Sequence, residues 1–219
     1  VTLDDERRVA EPLLRPSLLP SLLTVRKINQ DAGNTDVKLF EIARTFGKKG
    51  GEYWEMTELG MLADAEHGAS IRGLRGALEE LCESLGWTGL VFRDSGEHQP
   101  RWASAAGMVV DPADGAGRVV GMFGRAHESV NRQFDLTTPV DLAWLDYEKL
   151  IERYPPDRRV GELPRFPGIE RDLSVIVAER TPWRQIAEAI DAVQPELLES
   201  TQFVTTYRGK QVGKGRKSV

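Results

Sequence analysis

The chain has 219 residues, with 29 lysines and arginines against 34 aspartates and glutamates, a formal net charge of −5, and 40% hydrophobic and 29% charged residues. These values suit one large or two modest globular domains and exclude a disordered tract or a general nucleic-acid coat. No apolar run nears the roughly 18 residues a membrane helix needs, and no charged-then-apolar leader opens the chain, so a cytoplasmic protein is expected.

In chain order, the Leu-rich opening predicts a helix with Pro20 in its first turn, running through Ile28 and ended by Asp31-Ala-Gly-Asn34. Lys38 to Phe46 and Met56 to Ala63 read as strands of an antiparallel hairpin with a mobile glycine- and lysine-rich tip, Gly47 to Gly51. Ile71, Leu74, Leu78, Leu81, Cys82 and Leu85 recur at three- and four-residue steps, which predicts a helix from Ser70, as cap, to Leu85, with Gly86 as its stop. Cys82 is the single cysteine, which excludes an internal disulfide, and its place on the apolar side marks a buried structural thiol. Short strands are expected near Gly107–Val110, Arg118–Phe123 and Val140–Leu145, then a helical Tyr147–Arg153. Strands around a helix, joined by hairpins, favour α+β with a largely antiparallel sheet.

Tyr154-Pro-Pro-Asp-Arg-Arg-Val-Gly161 breaks the pattern and predicts a linker over residues 156–162, between a first domain of residues 1–155 and a second of 163–219. The second reads β-α-β: a strand at Leu173–Val177, a helix capped by Thr181 and opened by Pro182 with Ile186, Ile190 and Val193 on one face, and a strand at Ser200–Tyr207. A further strand starts at Arg216, so the segment predicts about half of a β-α-β-β-α-β ferredoxin-like unit, cut in its third strand. The chain opens on Val1 and ends inside this basic stretch, which reads as an excerpt of a longer protein.

Few motifs carry chemistry. Gly115-Ala-Gly117 follows a turn rather than a strand and reads as a hairpin loop, not a nucleotide fingerprint. His67, His98 and His127 lack the spacing of a metal pair, so no metal site is expected. Glu41 and Arg44 fall on opposite faces of a period-two strand, which weakens them as a joint site. From Thr201 to Val219 there are five cations (Arg208, Lys210, Lys214, Arg216, Lys217) and no acid; a solvated tail and an RNA-contacting surface both fit that asymmetry.

Four phrases carry a resemblance: Leu14-Arg-Pro-Ser-Leu-Leu-Pro-Ser-Leu-Leu23, Leu39-Phe-Glu-Ile-Ala-Arg-Thr-Phe46, Pro164-Arg-Phe-Pro-Gly-Ile-Glu-Arg-Asp-Leu-Ser-Val-Ile-Val177 and the basic run from Tyr207-Arg-Gly209 to Val219. Together they resemble the C-terminal part of a bacterial phenylalanyl-tRNA synthetase beta subunit. That resemblance implies a class II synthetase-like, non-catalytic module followed by the front of a ferredoxin-like anticodon-binding domain. It implies a catalytic alpha subunit as partner in an alpha2-beta2 heterotetramer, tRNA(Phe) as ligand, and ATP and Mg2+ for the whole enzyme, with none bound by this chain. Arg44, Arg118 and Arg125 are the residues an ATP clamp would draw on, and the resemblance favours a packing role over catalysis. For RNA, Tyr207 is expected to stack on a base, Arg208, Lys210 and Lys217 to meet phosphates, and Ser218 or Thr205 to bond a base edge. Arg171 opens the adjoining strand beside Asp172, with an internal ion pair as the alternative. The chain departs from the family at Val204-Thr-Thr-Tyr207, where Phe-Asp-x-Tyr is common. A stand-alone RNA-binding scaffold and an independent adenylating enzyme are the rival readings.

Overall fold

A computed structural model of the protein describes residues 13–65, 71–87, 89–113, 117–156, 167–193 and 198–219. The chain divides into two compact units, residues 1–159 and 160–219. Of the expected linker, only Pro156 lies within the described residues, and Ser70 and His67 lie outside them.

The first unit is α+β. Its elements are α1 (Leu19–Asp31), β1 (Lys38–Lys49), β2 (Glu52–Asp64), α2 (Arg72–Ser84), β3 (Val91–Asp94), β4 (Ala103–Asp111), β5 (Arg118–Ala126), α3 (Glu128–Gln133), β6 (Val140–Asp146) and α4 (Tyr147–Ile151). The six strands form one sheet in the order β1-β2-β6-β5-β4-β3, and every neighbouring pair is antiparallel. Helices cover both faces. Leu74, Leu78 and Cys82 of α2, with Leu150 of α4 and Trp87, pack on Leu59, Val109, Phe123, Ala143 and Leu145. Leu19, Leu22 and Leu23 of α1 pack with Leu62, Val140 and Leu142 in a second cluster. The alternation along β6, Val140 and Leu142 to one side and Ala143 and Leu145 to the other, is the period-two signature of a strand buried on both faces.

The β1–β2 hairpin is longer than the sequence suggests. Pairing runs from Lys38 opposite Ala63 to Lys49 opposite Glu52, so Gly47, Lys48 and Lys49 belong to the ladder. The link is the two residues Gly50 and Gly51, whose φ values of 61° and 93° give the left-handed turn that matches strand twist. α1 has no side-chain cap of its own. Its entry is held instead by Ser17, whose hydroxyl accepts the Leu19 N–H at 3.2 Å, and by the buried Glu58 of β2, which accepts the Leu18 N–H at 2.9 Å and the Ser17 hydroxyl at 3.4 Å. β3 and α3 were not expected: β3 has four residues, and α3 is a six-residue helix capped by the His127 ring, whose Nδ1 accepts the Ser129 N–H at 3.2 Å.

The second unit holds β7 (Ile176–Ala178), α5 (Trp183–Val193) and β8 (Arg216–Ser218). β7 and β8 pair antiparallel, and Tyr207 bridges to the opposite side of Ser218, so β8 lies between β7 and the Tyr207 segment. This is the strand order of the front of a ferredoxin-like unit. The strand expected over Ser200–Tyr207 shrinks to that single bridge, because only Ser218 lies opposite and Val219 is already bonded to Val175. The first strand is shifted to Ile176–Ala178, and α5 starts at Trp183 rather than at Pro182.

Candidate nucleic-acid interface

In the first unit the arginines that a triphosphate clamp would need are each held by an acid. Arg125 reaches across to Asp141, its strand partner, through Nε at 2.5 Å and Nη2 at 3.3 Å. Arg118 lies 3.6 Å from Asp146, and Arg44 lies 3.3 Å from Glu55. Arg15 bonds Glu41 at 2.8 Å and the Arg44 carbonyl at 3.2 Å, which ties the start of the described chain to β1. Arg44 lies on β1 and Arg118 and Arg125 on β5, three strands away; with each charge answered by an acid, the residues do not fit an ATP site. No group of three or more His, Cys, Asp or Glu side chains among the described residues could hold a metal ion. Cys82 is buried, and loss of hydration pushes its thiol pKa up to about 11, aided by Glu79 and Glu83; it is no nucleophile.

The second unit offers an open sheet face. Directly opposed residues in antiparallel strands share a face, and Ile176, Ser218 and Tyr207 stand in one row across three segments. Ser174 joins them, its hydroxyl 2.8 Å from that of Ser218. Ile176 is 56% exposed and Tyr207 53% exposed, so an apolar side chain and an aromatic ring flank a pair of hydroxyls on a wet surface. Tyr207 leans along its own strand over Gly209: a Cβ added there would sit 2.2 Å from the tyrosine oxygen, which is why a glycine follows the Tyr-Arg pair.

Register divides the residues predicted for RNA contact. Tyr207 and Ser218 share the open face, but Lys217 stands opposite Val177 and so points to the reverse face. Arg208 also turns away from Tyr207, to Glu179, with Nη2 at 2.8 Å and Nε at 2.9 Å from one carboxylate oxygen. The Arg208 hydrogen bond, helped by the charges of Arg208 and Lys217, holds the Glu179 carboxyl below its ordinary range, and the same hydrogen bond raises Arg208. Thr205 is exposed two residues before Tyr207, outside any ladder, and Lys210 is exposed in the turn after Gly209. Arg171 is exposed and donates to the Glu170 carbonyl at 3.4 Å; it does not pair with Asp172. Ser174, Ile176 and Glu179 escaped sequence reasoning. Only the register, which no local pattern contains, shows that they belong beside the basic run.

Comparison with known proteins fits this geometry. The family described as "Phenylalanyl tRNA synthetase beta chain CLM domain" matches residues 7–147. The chain belongs to that family. A second family, "Ferredoxin-fold anticodon binding domain", matches residues 164–219, the stretch that holds the Tyr207–Ser218–Ile176 row. Among curated relatives, the phenylalanine–tRNA ligase beta subunit of Protochlamydia amoebophila is 27% identical over 96% of this chain and 27% of its own length. That of Symbiobacterium thermophilum is 29% identical over 94% of this chain and 24% of its own. The chain therefore spans about a quarter of the length of these relatives. Among solved structures, the pyrrolysyl-tRNA synthetase of Desulfitobacterium hafniense superposes with a TM-score of 0.51 over 63% of this chain and 48% of that one, at 14% identity, a likeness of fold alone. The six-stranded antiparallel sheet thus shares its fold with a synthetase, and the region that follows matches the ferredoxin-fold family.

Proposed function

We propose that this chain is the part of a phenylalanine–tRNA ligase beta subunit that supports a catalytic alpha subunit and binds tRNA(Phe) for ATP-dependent aminoacylation. The observation that carries the RNA half is the open row of Ile176, Ser218 and Tyr207 inside the region similar to anticodon-binding domains. Bases stack on an exposed aromatic, and hydroxyls answer their edges. The observation that carries the support half is the sheet of the first unit, filled by helices on both faces and with its arginines paired to acids. ATP and Mg2+ are then handled by the alpha partner, in the cytoplasm, within an alpha2-beta2 assembly; no described helix is long and apolar enough to cross a membrane.

The test is made with the full-length beta subunit, alone and with its alpha partner. Phenylalanine-dependent ATP–pyrophosphate exchange is expected only from the pair, and Tyr207→Ala in the pair is expected to weaken tRNA(Phe) binding. Exchange by the beta subunit alone that is lost on Arg44→Ala, or failure of the two subunits to co-purify, would refute the proposal.

A further inference from the structure

Resting on that reading of the second unit as an RNA-binding sheet, we infer that Arg216 supplies the phosphate contact on the base-binding face, while Arg208 and Lys217 belong to a Glu179-centred cluster on the reverse face. The basic run places five cations within ten residues, and chain position alone does not rank them. Geometry does. In β8, side chains alternate between faces, so Arg216 and Ser218 project together and Lys217 projects opposite. Arg216 stands across from Ala178, two residues from Ile176 on the same side of β7. It therefore lies next to the row formed by Ile176, Ser218 and Tyr207. Its side chain is exposed, and its guanidinium makes no ion pair, hydrogen bond or ring contact with other described residues.

Arg208 differs on both counts. Two of its nitrogens, Nε and Nη2, are taken up by Glu179, and the carboxylate that holds them would repel an approaching phosphate. Glu179 is itself fixed by its backbone N–H, which donates to the Gly215 carbonyl at 2.9 Å. The cluster links the end of β7, the start of β8 and the residue after Tyr207, and so sets the angle at which Tyr207 meets Ser218. Arg208 and Glu179 are positioning residues. A base stacked on Tyr207 would carry its phosphate along the front of the sheet, on the side of Arg216 and away from the cluster behind.

The test uses the full-length beta subunit in complex with its alpha partner and a tRNA(Phe) transcript, with affinity measured between 50 and 200 mM salt. Arg216→Gln is expected to weaken binding and to reduce the log–log salt slope by roughly 0.7, so that the affinity lost across that salt range falls by roughly threefold. Arg216→Lys keeps the charge and should retain the slope, which separates contact from folding damage. Arg208→Gln should leave the slope unchanged. Tyr207→Ala, the control for the underlying reading, should cost about 5- to 150-fold at constant slope. A normal slope in Arg216→Gln, or an equal flattening in Arg208→Gln, overturns the assignment of faces while a weakened Tyr207→Ala keeps the RNA-binding reading. Unchanged binding in every variant removes both.

Discussion

The pair Arg26–Asp64 is the most buried ion pair described in the protein, with side chains only 3% and 8% exposed, and its removal should be costly in a defined way. Arg26 lies on α1 and Asp64 ends β2; a fork of two bonds joins them, one from Nε to Oδ1 and one from Nη2 to Oδ2 at 3.0 Å. Asp64 also accepts the Val37 N–H at 3.0 Å, so one carboxylate fixes the helix, the strand and the entry to β1. Asp64→Ala strands a guanidinium in the interior, at about 3–5 kcal/mol, and frees a buried N–H whose desolvation alone costs about 1–3 kcal/mol. The two losses share a partner and overlap, so about 4 kcal/mol is expected, and a unit of this size should lose about 8–16 °C in Tm. The Nη1 atom of Arg26 has no hydrogen-bond partner among the described residues, so the arginine carries a cost that methionine would not. Hence Arg26→Met with Asp64→Asn, which leaves an acceptor for Val37, should lie within about 2 kcal/mol of wild type although each charged partner alone is intolerant of the loss. Thermal melts by near-ultraviolet circular dichroism on wild type, Asp64→Ala, Arg26→Met and the double variant decide it. A shift below 3 °C for Asp64→Ala, or a double variant no better than the single ones, would refute the reasoning.

Glu58 is held above the ordinary carboxylate range chiefly by burial, against the lowering effect of the Leu18 N–H and Ser17 hydroxyl. A carboxyl raised on folding favours the folded state below its unfolded pKa and loses that contribution as pH rises through the folded one, so Glu58→Gln should gain stability relative to wild type at pH 7–8 and not at pH 4, read from urea midpoints. Cys82, with its thiol near 11 and its side chain buried, should not react with a thiol reagent at pH 8 in the native protein and should react at once in denaturant. Equal native and denatured rates would disprove that burial. Leu78, fully buried between α2 and the sheet, should cost about 2–5 kcal/mol on change to Ala, and a melt unchanged within error would show that α2 does not pack as described.

The helices α1 and α2 and the strands β1, β2, β5 and β6 were legible because their apolar periods repeat often enough to be read locally. β3 and α3 were not, since a strand of four residues and a helix of six hold no more than two periods each, and α3 takes an imidazole as its cap. The second anchor at the start of α1 was also hidden: beside the local Ser17, the Leu18 N–H is accepted by Glu58, forty residues on. In the candidate site the identity of Tyr207 and the basic run was plain, while its arrangement was not. Adjacent residues of a strand face apart, so Tyr207 and Arg208 read as one motif in sequence and as two surfaces in space.

The same separation explains how a net-negative chain can present a site for a polyanion. A phosphate feels the charges in front of it, within roughly 8–10 Å at ordinary ionic strength, far more than the total of −5. Glu179 is the acid described as pairing with the basic run, and it faces the reverse side, so its carboxylate answers Arg208 there without lowering the potential over Tyr207 as much as it would in the same plane. In the first unit the opposite arrangement holds: Glu55, Asp141 and Asp146 each stand against an arginine on the sheet that resembles a synthetase, and a triphosphate would have to displace an acid at every contact. On the proposed reading, attraction for phosphate survives in one unit and is cancelled in the other by where the acids lie, not by how many there are. A Glu placed on the front face, as in Ser174→Glu, should therefore depress RNA affinity and flatten its fall with salt, and Glu179→Gln should change both by less.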